Sequence, residues 1–198
     1  MRAIFNIPFF LFLGTISFTS CKKDPSLNPE LVIPIQGNYN PSKIGNVRTY
    51  AHKFANNIDT ISRIVVGDTI LKDKLYMDIQ YGVYFSKEFN NYYELFNVYG
   101  INREYLILKD NAPVGTKWTQ INYDGLEETI YTVLNVNIEK VVAQKTFQNV
   151  IQIRSVQKFG DNIETIDTYF AKDIGIIYKH SPGDTYNAQS SLINYSIK

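Results

Sequence analysis

Ile130-Tyr131-Thr132-Val133-Leu134-Asn135-Val136-Asn137-Ile138 alternates apolar and polar residues. One face carries Ile130, Leu134, Val136 and Ile138; the other shows Tyr131, Asn135 and Asn137. A strand half-buried on one face needs this period of two. Phe147 to Ser155 repeats the pattern, with Phe147, Ile151 and Ile153 opposed to Gln148, Gln152 and Arg154. Outward from these runs, reversals recur at short intervals: Gly67-Asp68, Lys72-Asp73-Lys74, Asn90-Asn91, Asp110-Asn111-Ala112-Pro113, Asp124-Gly125, Gly160-Asp161-Asn162 and Pro182-Gly183-Asp184. Their residues supply preset or positive φ at turns. No stretch of a dozen residues holds a helical apolar stripe. The spacing predicts strands over 46–54, 58–66, 69–81, 92–99, 103–109, 116–122, 127–139, 147–157, 163–171, 174–180 and 190–197. The gaps are too short for parallel crossovers. The fold class is therefore all-β: one antiparallel meander domain over 42–198, curved as a half-barrel or packed as a sandwich.

Composition narrows the role. The chain has 198 residues, enough for one domain with a core. With 44% hydrophobic and 20% charged residues it is not a disordered chain. Lys and Arg number 20 against 19 Asp and Glu, so no basic excess points to nucleic acid, and none is expected as a partner. One Cys excludes an intrachain disulfide and any multi-thiolate metal site.

The N-terminus reads as an address. Arg2 precedes the compact apolar run Ile7 to Leu13, and Phe18-Thr19-Ser20-Cys21 follows, the order of a secretory signal. The apolar part is too short to span a bilayer comfortably. Small residues directly before a Cys resemble the lipobox of bacterial lipoproteins, with Phe18 where that family usually has Leu. The resemblance implies cleavage before Cys21 and acylation of its thiol, a palmitate-type anchor. Several acyl chains on one residue hold a protein stably at a membrane. Removing residues 1–20 removes one basic residue, Arg2, and leaves 19 basic against 19 acidic side chains. Residues 21–41, with Pro25, Pro29, Pro34 and Pro41, read as an extended linker. Lys22-Lys23-Asp24 resembles the export signal of Bacteroidota-type surface lipoproteins. The expected location is the outer membrane, on its periplasmic or cell-surface face, with the membrane a partner through acylated Cys21.

Three segments of the second half form an ordered series: Val114-Gly115-Thr116-Lys117-Trp118, Lys145-Thr146-Phe147, and Tyr169-Phe170-Ala171-Lys172-Asp173-Ile174-Gly175-Ile176. The series resembles a group of uncharacterised bacterial lipoproteins whose pattern runs Gly-x-x-Trp, Ala-Gly-Thr-Phe, Tyr-Tyr-Phe-Ala-x-Gly-Val-Gly-Leu. It implies an envelope β domain and no activity. Trp118 and Phe147 are expected as core anchors, and Gly175 as a bulge or a close backbone approach.

Chemistry is sparse. No GxSxG, HExxH, GxGxxG or GxxxxGK[ST] motif is present. His52 and His180 read as edge histidines, and no catalytic residue, metal or cofactor is assigned. Glu127 and Glu128 must face opposite ways on a strand. The densest unusual feature is aromatic. Tyr84, Phe85, Phe89, Tyr92 and Tyr93, with Trp118, are the candidate ligand or partner surface, because such rings stack on sugars or pack a partner. The expected role is non-enzymatic binding of an envelope protein or glycan. Two alternatives stand beside it: a half-barrel that carries or accepts acyl chains or lipoproteins, which needs a concave apolar cavity, and a carboxylate hydrolase, which needs converging acids.

Overall fold

A computed structural model of the chain describes residues 37–98, 101–122, 125–181 and 188–198. The signal segment, Cys21 and the linker up to residue 36 lie outside the described residues. Thirteen strands are described. The first seven are β1 (Val47–Phe54), β2 (Asn57–Ile64), β3 (Gly67–Leu71), β4 (Lys74–Asp78), β5 (Val83–Glu88), β6 (Asn91–Val98) and β7 (Ile101–Lys109). The rest are β8 (Lys117–Asn122), β9 (Glu127–Val142), β10 (Lys145–Phe159), β11 (Asn162–Ala171), β12 (Gly175–His180) and β13 (Gln189–Ser196). They form an eight-stranded sheet, β2-β1-β13-β12-β11-β10-β9-β8, and a five-stranded sheet, β3-β4-β5-β6-β7. All pairings are antiparallel, and neither sheet closes on itself. The all-β expectation holds, as a large curved sheet with a smaller meander inserted between β2 and β8 and laid over it.

Particular readings change. The strand expected over 69–81 is two strands, because Lys72 and Asp73 both take positive φ (51° and 61°) and make the two-residue turn that reverses the chain. A strand not anticipated, β5, runs through the aromatic stretch. In β9 the predicted faces are exchanged at the start of the run. Tyr131 (6% exposed) and Val133 (1%) face the core, while Ile130 is 36% exposed. Tyr131 goes inward because its ring stacks on Trp118, centroids 5.2 Å apart and 6° from parallel. Register shifts between Val150 and Ile153 then change the parity, so Val136 is buried as expected. Asn137 takes positive φ there (56°), and Asn149 (54°) does so at a further shift between Phe147 and Val150. Gln152, expected to face solvent, is buried, between Asn135 and Asp167.

The smaller sheet is fixed to the larger at both flanks. At one corner the chain itself crosses: Val65 exchanges bonds with Gly45 (2.8 Å) and Asn46 (3.0 Å), and Val66 N–H donates to Asp78 O (3.0 Å). At the other corner, side chains of β8 bond the backbone of β7. Trp118 Nε1 donates to Leu106 O (2.8 Å), Gln120 Oε1 accepts from Leu106 N (2.9 Å), and Gln120 Nε2 donates to Glu104 O.

Residues Gly37–Pro41 pack on the domain as a strap. Tyr39 is fully buried, and its N–H donates to the Tyr92 hydroxyl (3.0 Å). Arg48, 3% exposed, donates through Nε to Ile174 O (2.6 Å) and through Nη2 to Pro41 O (2.5 Å). Gly175 makes room for it: its φ is +105°, and a Cβ there would lie 3.1 Å from Arg48 Nε. The expectation of a close backbone approach at Gly175 holds. Trp118 and Phe147 also take the expected core places, at 9% and 4% exposure. The strap closes the end of the sandwich where β11 turns into β12, since Asp173 N–H donates to Asn38 O (2.7 Å). The other end of β11 lies about 33 Å away for its 10 residues.

Gln120→Leu removes two bonds to the β7 backbone while keeping the bulk of the side chain. The variant should unfold in urea with a stability lower by about 1–3 kcal/mol, read from Trp118 fluorescence. An unchanged midpoint would show that the β7–β8 corner is held by packing alone.

Candidate functional site

The two sheets do not fill the space between them. Toward the end opposite the strap, a cavity of about 310 Å³ separates β6 and β7 from β9 to β12. A second, of about 270 Å³, lies under β1, β2, β12 and the start of β13. The two share Ile166, Ile176 and Lys179 as a common wall. Each is of the order of a small-ligand site. They differ in character. The second exposes mostly apolar surface, from Tyr50, Phe54, Ile166, Ile176 and Ala188, with His52, Lys53, His180 and Gln189 at its edges. The first mixes Phe96, Ile107 and Phe170 with Thr129, Ser155, Gln157, Thr168 and the cation Arg103.

A charged node stands where they meet. Glu94 sits on the core-facing side of β6, opposite Phe85, and is 3% exposed. Its Oε1 is buried with no hydrogen-bond partner. Arg63 Nη1, from β2, approaches that oxygen to 3.8 Å, and Lys179 Nζ, from β12, approaches Oε2 to 3.9 Å. Both distances are ion-pair contacts and too long for hydrogen bonds. His52, from β1, lies on the same cavity as Arg63 and Lys179, and its Nε2 is likewise buried without a partner. Burial first, then Arg63 and Lys179, push the His52 imidazole below its ordinary pKa, against the pull of Asp59. Tyr50 donates its hydroxyl to Ile176 O (3.0 Å), and burial raises its pKa. Burial raises that of Tyr131 too, with Glu94 adding to it. Four strands from both sheets thus bring Arg63, Lys179, Glu94 and His52 together in one cleft, whose walls also carry Lys53, Arg103 and His180.

Of the residues expected as a binding surface, the structure places three in the core: Phe85 (5% exposed), Tyr92 (1%) and Trp118 (9%). Alternation along β5 and β6 puts them on the inner side of the smaller sheet or at its corner, so they share no exposed face with the others. Tyr84 and Tyr93 are half-buried on the opposite side, with Lys74 Nζ 3.0 Å from the Tyr93 ring centroid. Phe89 stands 94% exposed at the β5–β6 turn. None of the six lines the cleft, although Trp118 stacks on Tyr131, which does. Cys21 lies outside the described residues. His52 and His180, each read from sequence as an edge residue, line one cavity. The signal for Glu94 was present in Tyr92-Tyr93-Glu94-Leu95-Phe96: a lone charge on the same period as Tyr92 and Phe96.

The chain matches no protein-family model and no curated protein. A crystal structure described as a "putative lipoprotein" from Parabacteroides distasonis ATCC 8503 aligns with a TM-score of 0.50 at 8% identity, covering 82% of this chain and 100% of that one. Another, described as a "putative exported protein with YmcC-like fold" from Bacteroides fragilis NCTC 9343, gives 0.49 at 8% identity over 81% and 100%. At such identity the likeness to the first is one of fold.

The depressed His52 pKa has a sign. A base held below its unfolded value of about 6.5 contributes stability above that pH, and loses it as pH falls through the folded pKa. The fall in Tm between about pH 7.5 and pH 5.5 should be smaller in His52→Gln than in the natural chain. Equal losses would place the imidazole in water in both states.

Proposed function

We propose that this chain is a lipid-anchored envelope protein that binds a small amphipathic ligand between its two sheets without transforming it. The anchor rests on the order of Arg2, the Ile7–Leu13 run and Phe18-Thr19-Ser20-Cys21. The observation that carries the binding reading is the open cleft with its charged node of Arg63, Glu94 and Lys179. A sandwich with no ligand to hold gains by closing apolar sheets to interior density, and burying a charge between them is costly. Retaining both a void and charges is the pattern of a binding site. The binding role replaces the exposed aromatic surface as its locus, since half of those rings lie in the core. It brings the acyl-carrier alternative closer, because the second cavity is largely apolar. A paired-carboxylate hydrolase is less favoured: among the described residues, Glu94 is the only Asp or Glu lining either cavity.

The test is native mass spectrometry of the full chain extracted from its own envelope. The expected spectrum shows an acylated Cys21 N-terminus and a non-covalent small molecule on the natural chain. That adduct is lost in Ile166→Trp, which fills the shared wall. A bare protein mass, or equal adducts on both proteins, would count against the cleft as the site.

A further inference from the structure

The charged node also constrains the occupant of the cleft, a constraint that rests on the proposed binding role. Glu94 Oε1 is a buried acceptor that lacks a donor. Such an atom carries a desolvation cost until something donates to it. Arg63 and Lys179 balance its charge from 3.8 and 3.9 Å without hydrogen-bonding it. Neither cation spends a hydrogen bond on Glu94, so each can donate to an acceptor placed beside it. An occupant that satisfies both sides must donate and accept at the same place. A hydroxyl does both. An ionised carboxylate only accepts, leaves Glu94 Oε1 without a donor and sets a second negative charge next to it.

The walls agree with this division. Beyond the node, the larger cavity offers Thr129, Ser155, Gln157 and Thr168, neutral side chains that both donate and accept, beside Arg103, which already has a partner of its own. On the other side of Ile166 and Ile176, the smaller cavity offers Tyr50, Phe54 and Ala188. We infer that the occupant is a neutral, hydroxyl-bearing head joined to an apolar chain, of the class of alkyl glycosides and monoacylglycerols. Its head lies against Glu94, Arg63 and Lys179, and its chain lies against Tyr50 and Ile176. A free fatty acid fits the apolar half and fails at the head. A sugar without a chain fits the head and leaves the apolar half unfilled.

The experiment uses the full chain in lipid nanodiscs with three water-soluble probes: hexyl β-D-glucoside, glucose and hexanoate. Trp118, the single Trp, stacks on the cleft residue Tyr131 and reports occupancy by fluorescence. The glucoside should bind about tenfold or more tighter than hexanoate, the loss expected when a site built for a hydroxyl meets a ligand without one. It should bind about a hundredfold or more tighter than glucose, which lacks six buried carbons. Glu94→Gln keeps an oxygen acceptor and should hold the glucoside within a few-fold. Glu94→Leu should lose the glucoside by about tenfold or more and gain affinity for hexanoate, because Arg63 and Lys179 are left without a counter-charge. Tighter binding of hexanoate by the natural chain, or a glucoside affinity indifferent to Glu94→Leu, would overturn the head-group inference and leave the cleft standing as a site. Failure of all three probes to move Trp118 fluorescence would overturn both.

Discussion

Three charges held between two sheets set the terms for the rest of this molecule. Arg63, Glu94 and Lys179 come from β2, β6 and β12, and meet where apolar faces would otherwise press together. Ion pairing under partial desolvation seldom recovers the full cost of removing the groups from water. Contacts of 3.8 and 3.9 Å recover less than close hydrogen-bonded ones. Closing the sheets would desolvate the node further, a cost that opposes closure. A purely apolar set at these positions would pack to interior density and leave no void.

An open cleft needs walls that do not drift. The corners supply them. Val65 and Val66 carry the chain from one sheet to the other, and Trp118 with Gln120 ties β8 to the β7 backbone. The strap closes the far end around a shared hydroxyl. Tyr92 Oη accepts from Tyr39 N–H and lies 3.1 Å from both Gly37 O and Asp110 Oδ2. Asp110 Oδ1 has no partner there, and burial raises its pKa against the pull of the Tyr92 hydroxyl and Lys87. Gly37 thus sits at the closed end. The cleft lies toward the opposite end, where the exposed Phe54 lines it.

The class of fold was legible because strand alternation and turn chemistry are local. Gly175 reads as a place where a side chain would not fit, whereas the turn residues Lys72-Asp73 were outweighed by the β pattern on either side of them. Face assignment failed where a residue is both apolar and polar. Tyr131 scores with the polar face of its run, yet its ring stacks on Trp118 in the core. The aromatic stretch misled for the same reason: Tyr92 and Phe85 fill the core while Tyr84 and Tyr93 lie across the sheet from them. The site was illegible for a different reason. His52, Arg63, Glu94 and Lys179 lie on four strands whose adjacency depends on long-range register, and no local period reports that β6 faces β12. Only Glu94 announced itself, as a charge on a core-facing position.

Whether the node holds the cleft open is checked most directly by high-resolution diffraction from the full chain, read at the Glu94 carboxylate. Ordered solvent or ligand density should donate to Glu94 Oε1, with Arg63 and Lys179 remaining outside direct hydrogen-bond distance and the sheets apart. Direct bonds from both cations to Glu94, with Ile176 and Phe96 packed into the space between the sheets, would contradict that role.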